Sequence, residues 1–148
     1  MTTGRHTHSA NKGFTLIETL ISLALIGLLM GIALPSLELQ WQKTRRQDAQ
    51  NTLLQLHLRQ LQWRGLYPQY ANALSELGWP NLESTSGYYS LRLQNVSAQG
   101  YVLEATAIGL QSRDTPCASM TLRVSENAAV LRTSNAFLLG DPSRCWKW

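Results

Sequence analysis

Lys12-Gly13-Phe14-Thr15-Leu16-Ile17-Glu18 opens an apolar run that lasts to Leu34, and its reading decides how the rest of the 148-residue chain is understood. Between residues 14 and 34 the only charged side chain is Glu18. Twenty-one residues at about 1.5 Å each suffice for one helical crossing of a bilayer's hydrocarbon layer. The preceding residues, MTTGRHTHSANKG, are polar and carry Arg5 and Lys12, which should hold that end in the cytoplasm. A general secretory signal has a shorter apolar core followed by a small-residue cleavage site, a pattern that does not fit here. Beyond Leu34 the chain is polar and rich in Gln, Ser, Thr and Asn. The division reads as a membrane segment joined to one small soluble head.

Glu18 needs an explanation. A carboxylate at the centre of a bilayer costs on the order of 3 kcal/mol to insert, so it usually has a partner. Near a helix end, reaching the interface lowers that cost. Gly27, Gly31 and Pro35 follow at spacings of four. Pro35 has no amide hydrogen to offer the carbonyl of Gly31, and two glycines weaken the helix further. The stretch reads as a weak point that can extend, or as a small-xxx-small packing face.

After Pro35 a helical pattern resumes. Leu37 and Trp41 stand at i and i+4, and Ala49, Leu53, Leu54, Leu58 and Leu61 recur at helical spacings. The opposite face is assigned Lys43, Arg45, Arg46, Asp48, Gln55 and Arg59. One helix is expected over about 14–63, ended by Gly65 and Pro68, with its second half laid along the head. A loop over 66–86 should tuck in Leu74 and Leu77. Strands are expected at 88–94, 101–108 and 120–124, with a weaker fourth at 129–132. Gly100 suits the first hairpin turn and Asn127 the last. The fold class is α+β: a long amino-terminal helix packed on a small antiparallel sheet. The organisation is 1–13 leader, 14–39 transmembrane and polymerisation helix, 40–148 globular head.

Cys117 and Cys145 are the two cysteines. An exported protein meets an oxidising compartment, where such a pair usually bridges. Two free buried thiols are the alternative. A bridge would close a carboxy-terminal loop containing Gly140, Asp141 and Pro142.

The residues 12–18 resemble the processing site of type IV prepilins. The resemblance implies cleavage between Gly13 and Phe14 by a membrane prepilin peptidase, which then methylates Phe14. An uncleaved single-span anchor is the alternative. A glycine before the scissile bond suits a narrow cleft, because the backbone can lie extended there without a Cβ. The resemblance also gives Glu18 a role: it stands where pilins place the glutamate that neutralises a neighbour's amino terminus during docking. Further along, Arg46-Gln47-Asp48-Ala49, Tyr88-Tyr89-Ser90-Leu91, 101–107, 114–122 around Cys117 and the ending Cys145-Trp146 look like the PilE-type minor pilins. That group tends to place glycine after the third strand. Ser125-Glu126-Asn127-Ala128-Ala129 has none, so the turn there should be built differently.

Cofactor and metal signatures are absent from the sequence: there is no HExxH, GxSxG or phosphate loop. His57 is read as packing on the helix's apolar side, and no enzymatic activity is expected. The resemblance implies other pilin subunits, the peptidase and an inner-membrane assembly platform as partners. It places the protein as a single-pass inner-membrane protein before assembly and in the surface fibre after it. Two functions remain open. One is a minor subunit that promotes pilus assembly; the other is a minor pilin that captures DNA during uptake. A type II secretion pseudopilin is a third reading, against which the cysteine arrangement argues. From residue 40 onward there are eleven Lys or Arg and seven Asp or Glu. That mild surplus permits nucleic-acid contact without requiring it. Arg144, Trp146 and Lys147 alternate basic and aromatic groups, which can contact phosphate and stack on bases. The alternative is that the tryptophans pack the disulfide loop.

Overall fold

A computed structural model describes residues 13–127, 129–135, 141 and 143–146, and within its long helix the side chains of 32–36 lie outside the described set. Residues 1–12 of the expected leader, the ring of Pro35, and Lys147 therefore fall outside the description. The chain divides into two compact units, Met1–Glu38 and Leu39–Trp148.

Helix α1 covers Leu16–Leu66. It starts where Thr15 supplies a cap: the Glu18 amide donates to Thr15 Oγ1 at 3.3 Å, satisfying one of the orphan donors of a first turn. It runs through Gly65 and stops at Leu66, two residues before Pro68, whose ring disfavours helical backbone at the residue before it. Among the described residues no helix is long and apolar enough to cross a membrane.

In the second unit, four strands form an antiparallel sheet in sequence order. They are β1 (Tyr89–Gln94), β2 (Tyr101–Ala107), β3 (Ser119–Val124) and β4 (Val130–Ser134). Leu91 faces Ala105, and Leu103 faces Leu122. Alternation of the pleat turns Leu91, Leu103, Ala105, Met120 and Leu122 into the core. The first hairpin depends on Gly100, because a Cβ there would collide with the carbonyl oxygen of Val124. The last turn closes without glycine through the Ser125 amide donating to the Ala129 carbonyl at 3.3 Å. The fourth strand forms beyond it, in register from Val124–Val130 to Met120–Ser134. Leu74 and Leu77 are buried as expected.

The helix's buried stripe differs from the apolar pattern. Leu58 and Leu61 are 57% and 46% exposed, while Ala49, Leu53 and Leu56 are fully buried. Beside them lie Asp48, Gln50, Thr52 and Gln60, all buried polar groups. The assignment of Asp48 to the solvent face is thus corrected. Its carboxylate accepts hydrogen bonds from the Ser84 hydroxyl and the Ser86 amide. Buried polar groups persist where they are paired, and each of these has a loop partner, although the Oε1 of Gln50 itself accepts no hydrogen bond among the described residues. Gln60 accepts from the Ala71 amide and donates to its carbonyl. Gln50 donates to the Cys145 carbonyl at 2.7 Å.

Candidate docking and nucleic-acid interfaces

At the amino terminus Phe14 is 84% exposed. Among the described residues, nothing lies within 4 Å of a Cβ built on Gly13. Glu18 lies in the first turn of α1, where a negative charge complements the helix dipole. Thr15-Leu16-Ile17-Glu18 also has capping-box spacing. Thr15 is thus the residue that sequence reading passed over at this end. Gly27 and Gly31 both lie within continuous α1 with open space at their Cα positions.

In the head, Cys117 and Cys145 are bonded, with Cα atoms 5.7 Å apart. Both are completely buried. Two clamps hold the ends flanking this bridge to the helix. Gln50 grips the Cys145 carbonyl. Arg46 makes a two-point ion pair with Asp114, at 2.6 and 2.7 Å. Asp114 is nearly inaccessible, so a charge-assisted fork of this kind both positions and neutralises it. Gln111 ties the same carboxylate to the Tyr89 hydroxyl, with 3.1 Å on each side. Burial pushes the Tyr89 phenol up to about 12, so it stays protonated. Arg46 had been assigned to the solvated face. It is instead a structural cation, and its partner Asp114 sits 68 residues away.

Trp146 is half-buried. Its indole N–H donates to the Thr133 carbonyl at 2.8 Å, and Arg132 lies over its ring. Its polar atom and one face are therefore occupied within the head. Arg144 is exposed and lines a groove of about 550 Å³ with Leu39, Gln40, Lys43 and Arg46. The structure thus places Arg144 and Lys43 on one groove, packs Trp146 against Thr133 and Arg132, and leaves Lys147 outside the described residues.

A family model described as type IV minor pilin ComP, DNA uptake sequence receptor, matches residues 35–121. The chain belongs to this family of type IV minor pilins. A second model, the prokaryotic N-terminal methylation motif, matches residues 8–34 of the pilin. The pilin is also similar to the type IV major pilin protein PilA of Myxococcus xanthus (strain DK1622), 28% identical over 122 residues. That alignment covers 81% of the pilin and 54% of PilA, so the pilin spans about half the length of the curated relative it matches.

Most of the pilin head's arginines are engaged internally. Arg59 donates to the carbonyls of Leu77 and Gly78 and lies over Trp79. Arg64 donates to the Tyr67 carbonyl and lies over Tyr70, and Arg45 lies over Tyr88. These contacts use cations to brace loops and rings. Among the described residues no three His, Cys, Asp or Glu side chains gather as a metal site. His57 packs as expected on the head side, but also meets the Tyr101 hydroxyl at 2.5 Å through Nδ1.

Proposed function

We propose that this chain is made as a prepilin, cut between Gly13 and Phe14, methylated at Phe14, and built into a type IV pilus as a minor subunit without enzymatic activity. What carries the reading is the succession of two matches on one chain, the methylation motif over 8–34 and the minor-pilin family over 35–121. The apolar run holds the subunit in the inner membrane as a single span until assembly. There the prepilin peptidase and the assembly platform are its partners, and in the fibre its partners are other pilin subunits. Glu18 supports docking: cleavage creates a positive amine about one turn away, and a buried ion pair between subunits fixes a register that Leu and Ile contacts alone would leave loose. Gly27, Gly31 and Pro35 let the helix extend as the fibre forms. The disulfide-closed head favours a pilus subunit over a type II secretion pseudopilin.

Mass spectrometry of fibre-associated protein tests the processing. Phe14 is expected as a methylated first residue, and Gly13→Leu should leave the leader attached. Intact Met1 in the wild type would overturn the reading.

A second reading has specific support. The matching family's description names a DNA uptake sequence receptor, and the groove places two cations, Lys43 and Arg144, together. In this reading the head captures DNA, with phosphates tracking the groove.

A further inference from the structure

Among the described residues, Trp41 stands outside the hydrophobic core cluster. Its indole is 60% exposed, an unusual state for the side chain that offers the most apolar area. It borders a groove of about 310 Å³ whose other walls include Arg45, Asn51, Thr85 and Tyr88. Arg45, one turn further along α1, holds its guanidinium 5.0 Å from the centre of the Tyr88 ring, and Tyr88 is itself 36% exposed. The floor is already satisfied, because the Asp48 carboxylate is taken by Ser84 and Ser86. What remains open is a Trp, an Arg and a Tyr around one depression.

These are the residue types that dominate the energetics of protein–protein contacts when they cluster. Arg45 resting on Tyr88 is partly ordered before any partner arrives, which lowers the cost of binding. Chain order indicates which partner reaches it. Trp41 stands three residues past Glu38, where the amino-terminal unit ends. A subunit that packs on that unit in a fibre therefore has its own chain beside this point. Nucleic acid would be attracted instead to Lys43 and Arg144, which line a different groove.

Resting on the pilus-subunit reading, we propose that the Trp41–Arg45–Tyr88 patch is a docking surface for another pilin subunit in the fibre. The neighbour seats an apolar side chain against Trp41 and accepts hydrogen bonds from Arg45 with a carboxylate or carbonyl oxygen.

The experiment uses the full chain expressed in piliated cells. A photoreactive benzoylphenylalanine replaces Trp41 in one strain and the exposed Leu131 of β4 in another, and sheared fibres are illuminated. A pilin–pilin adduct is expected from position 41 in clear excess over position 131. In parallel, Trp41→Ala should lower fibre incorporation by roughly tenfold or more. Leader processing, membrane level and the Cys117–Cys145 bond should match the wild type, and Trp41→Phe should restore most incorporation. Wild-type incorporation of Trp41→Ala, equal adduct yields at the two positions, or an adduct to DNA from position 41 would each overturn the docking surface while the pilus reading stands. If the wild-type chain itself is missing from fibres, the pilus reading falls and the docking surface with it.

Discussion

His57 illustrates how a single side chain couples the helix to the sheet. It is partly buried and meets Tyr101, whose own phenol is raised by burial and so keeps its proton at neutral pH. The neutral imidazole can therefore accept from the Tyr101 hydroxyl at Nδ1. Burial first, and the positive charge of Arg132 second, hold the His57 pKa below its usual 6.5. A base with a lowered folded pKa is protonated more readily in the unfolded chain. Its contribution to stability is therefore fully present above pH 6.5 and is lost as pH falls from there through the folded value. Thermal unfolding of the full chain in non-ionic detergent, from about pH 8 to 5, should show a falling Tm below 6.5. His57→Gln should flatten that part of the profile, and an unchanged slope would remove His57 as its source. Legibility in the sequence varied among such residues. Gly13, Phe14 and Glu18 stood out because a short motif abutted a long apolar run. Asp48, Gln50, Thr52 and Gln60 did not, because a polar residue on an amphipathic helix reads as solvated. Their partners at 84–86, 145 and 71 lie in loops that carry no periodic signal.

Among the elements, strands were more legible than the helix face. Tyr89, Leu91 and Leu93, and Met120, Leu122 and Val124, alternate with period two, which is why the strands expected over 88–94 and 120–124 lie where they do. The helical stripe was read from apolar residues alone, which placed Leu58 and Leu61 inside; the structure puts Leu56 there instead. Three devices secure the two ends of the carboxy-terminal loop: the disulfide, the Gln50 contact at Cys145, and the Arg46–Asp114 pair just before Cys117. Because both cysteines are fully buried, opening the bond requires loosening the loop first. Loop-closure entropy assigns such a bridge, across 28 residues, roughly 3–4 kcal/mol. Cys117→Ser with Cys145→Ser should therefore lower unfolding free energy by about 3 kcal/mol, measured by urea denaturation of the full chain in detergent. A loss below about 1 kcal/mol would show that the two polar clamps hold the loop without the bond.

For the whole molecule, the question is whether the charge surplus serves DNA capture. The net of +4 is small, and Arg45, Arg46, Arg59, Arg64 and Arg132 already bind carboxylate, carbonyls or rings within the head. Trp146, expected to be able to stack on bases, donates its indole N–H inward and is covered on one face. Seven acidic residues interrupt the head's eleven basic ones, and the surplus of four sets the phosphates neutralised at about four. Each adds a slope of about −0.9 in log affinity against log salt, for a total of roughly −3.6. Affinity should then fall by more than about a hundredfold between 50 and 200 mM salt, so duplex binding is weak and largely lost at physiological ionic strength. Lys43 and Arg144 share one groove. If that groove carries the phosphates, Lys43→Ala with Arg144→Ala should cut the slope by about 1.8, and the loss over the same salt range should shrink to about twelvefold. The measurement is a titration of the detergent-solubilised, oxidised chain against labelled duplex at several salt concentrations. An unchanged slope in the double variant would place the DNA elsewhere on the head. Micromolar or tighter binding that persists at physiological salt and collapses in the double variant would make DNA capture the head's main task, because a contact resisting screening must read more than phosphate charge.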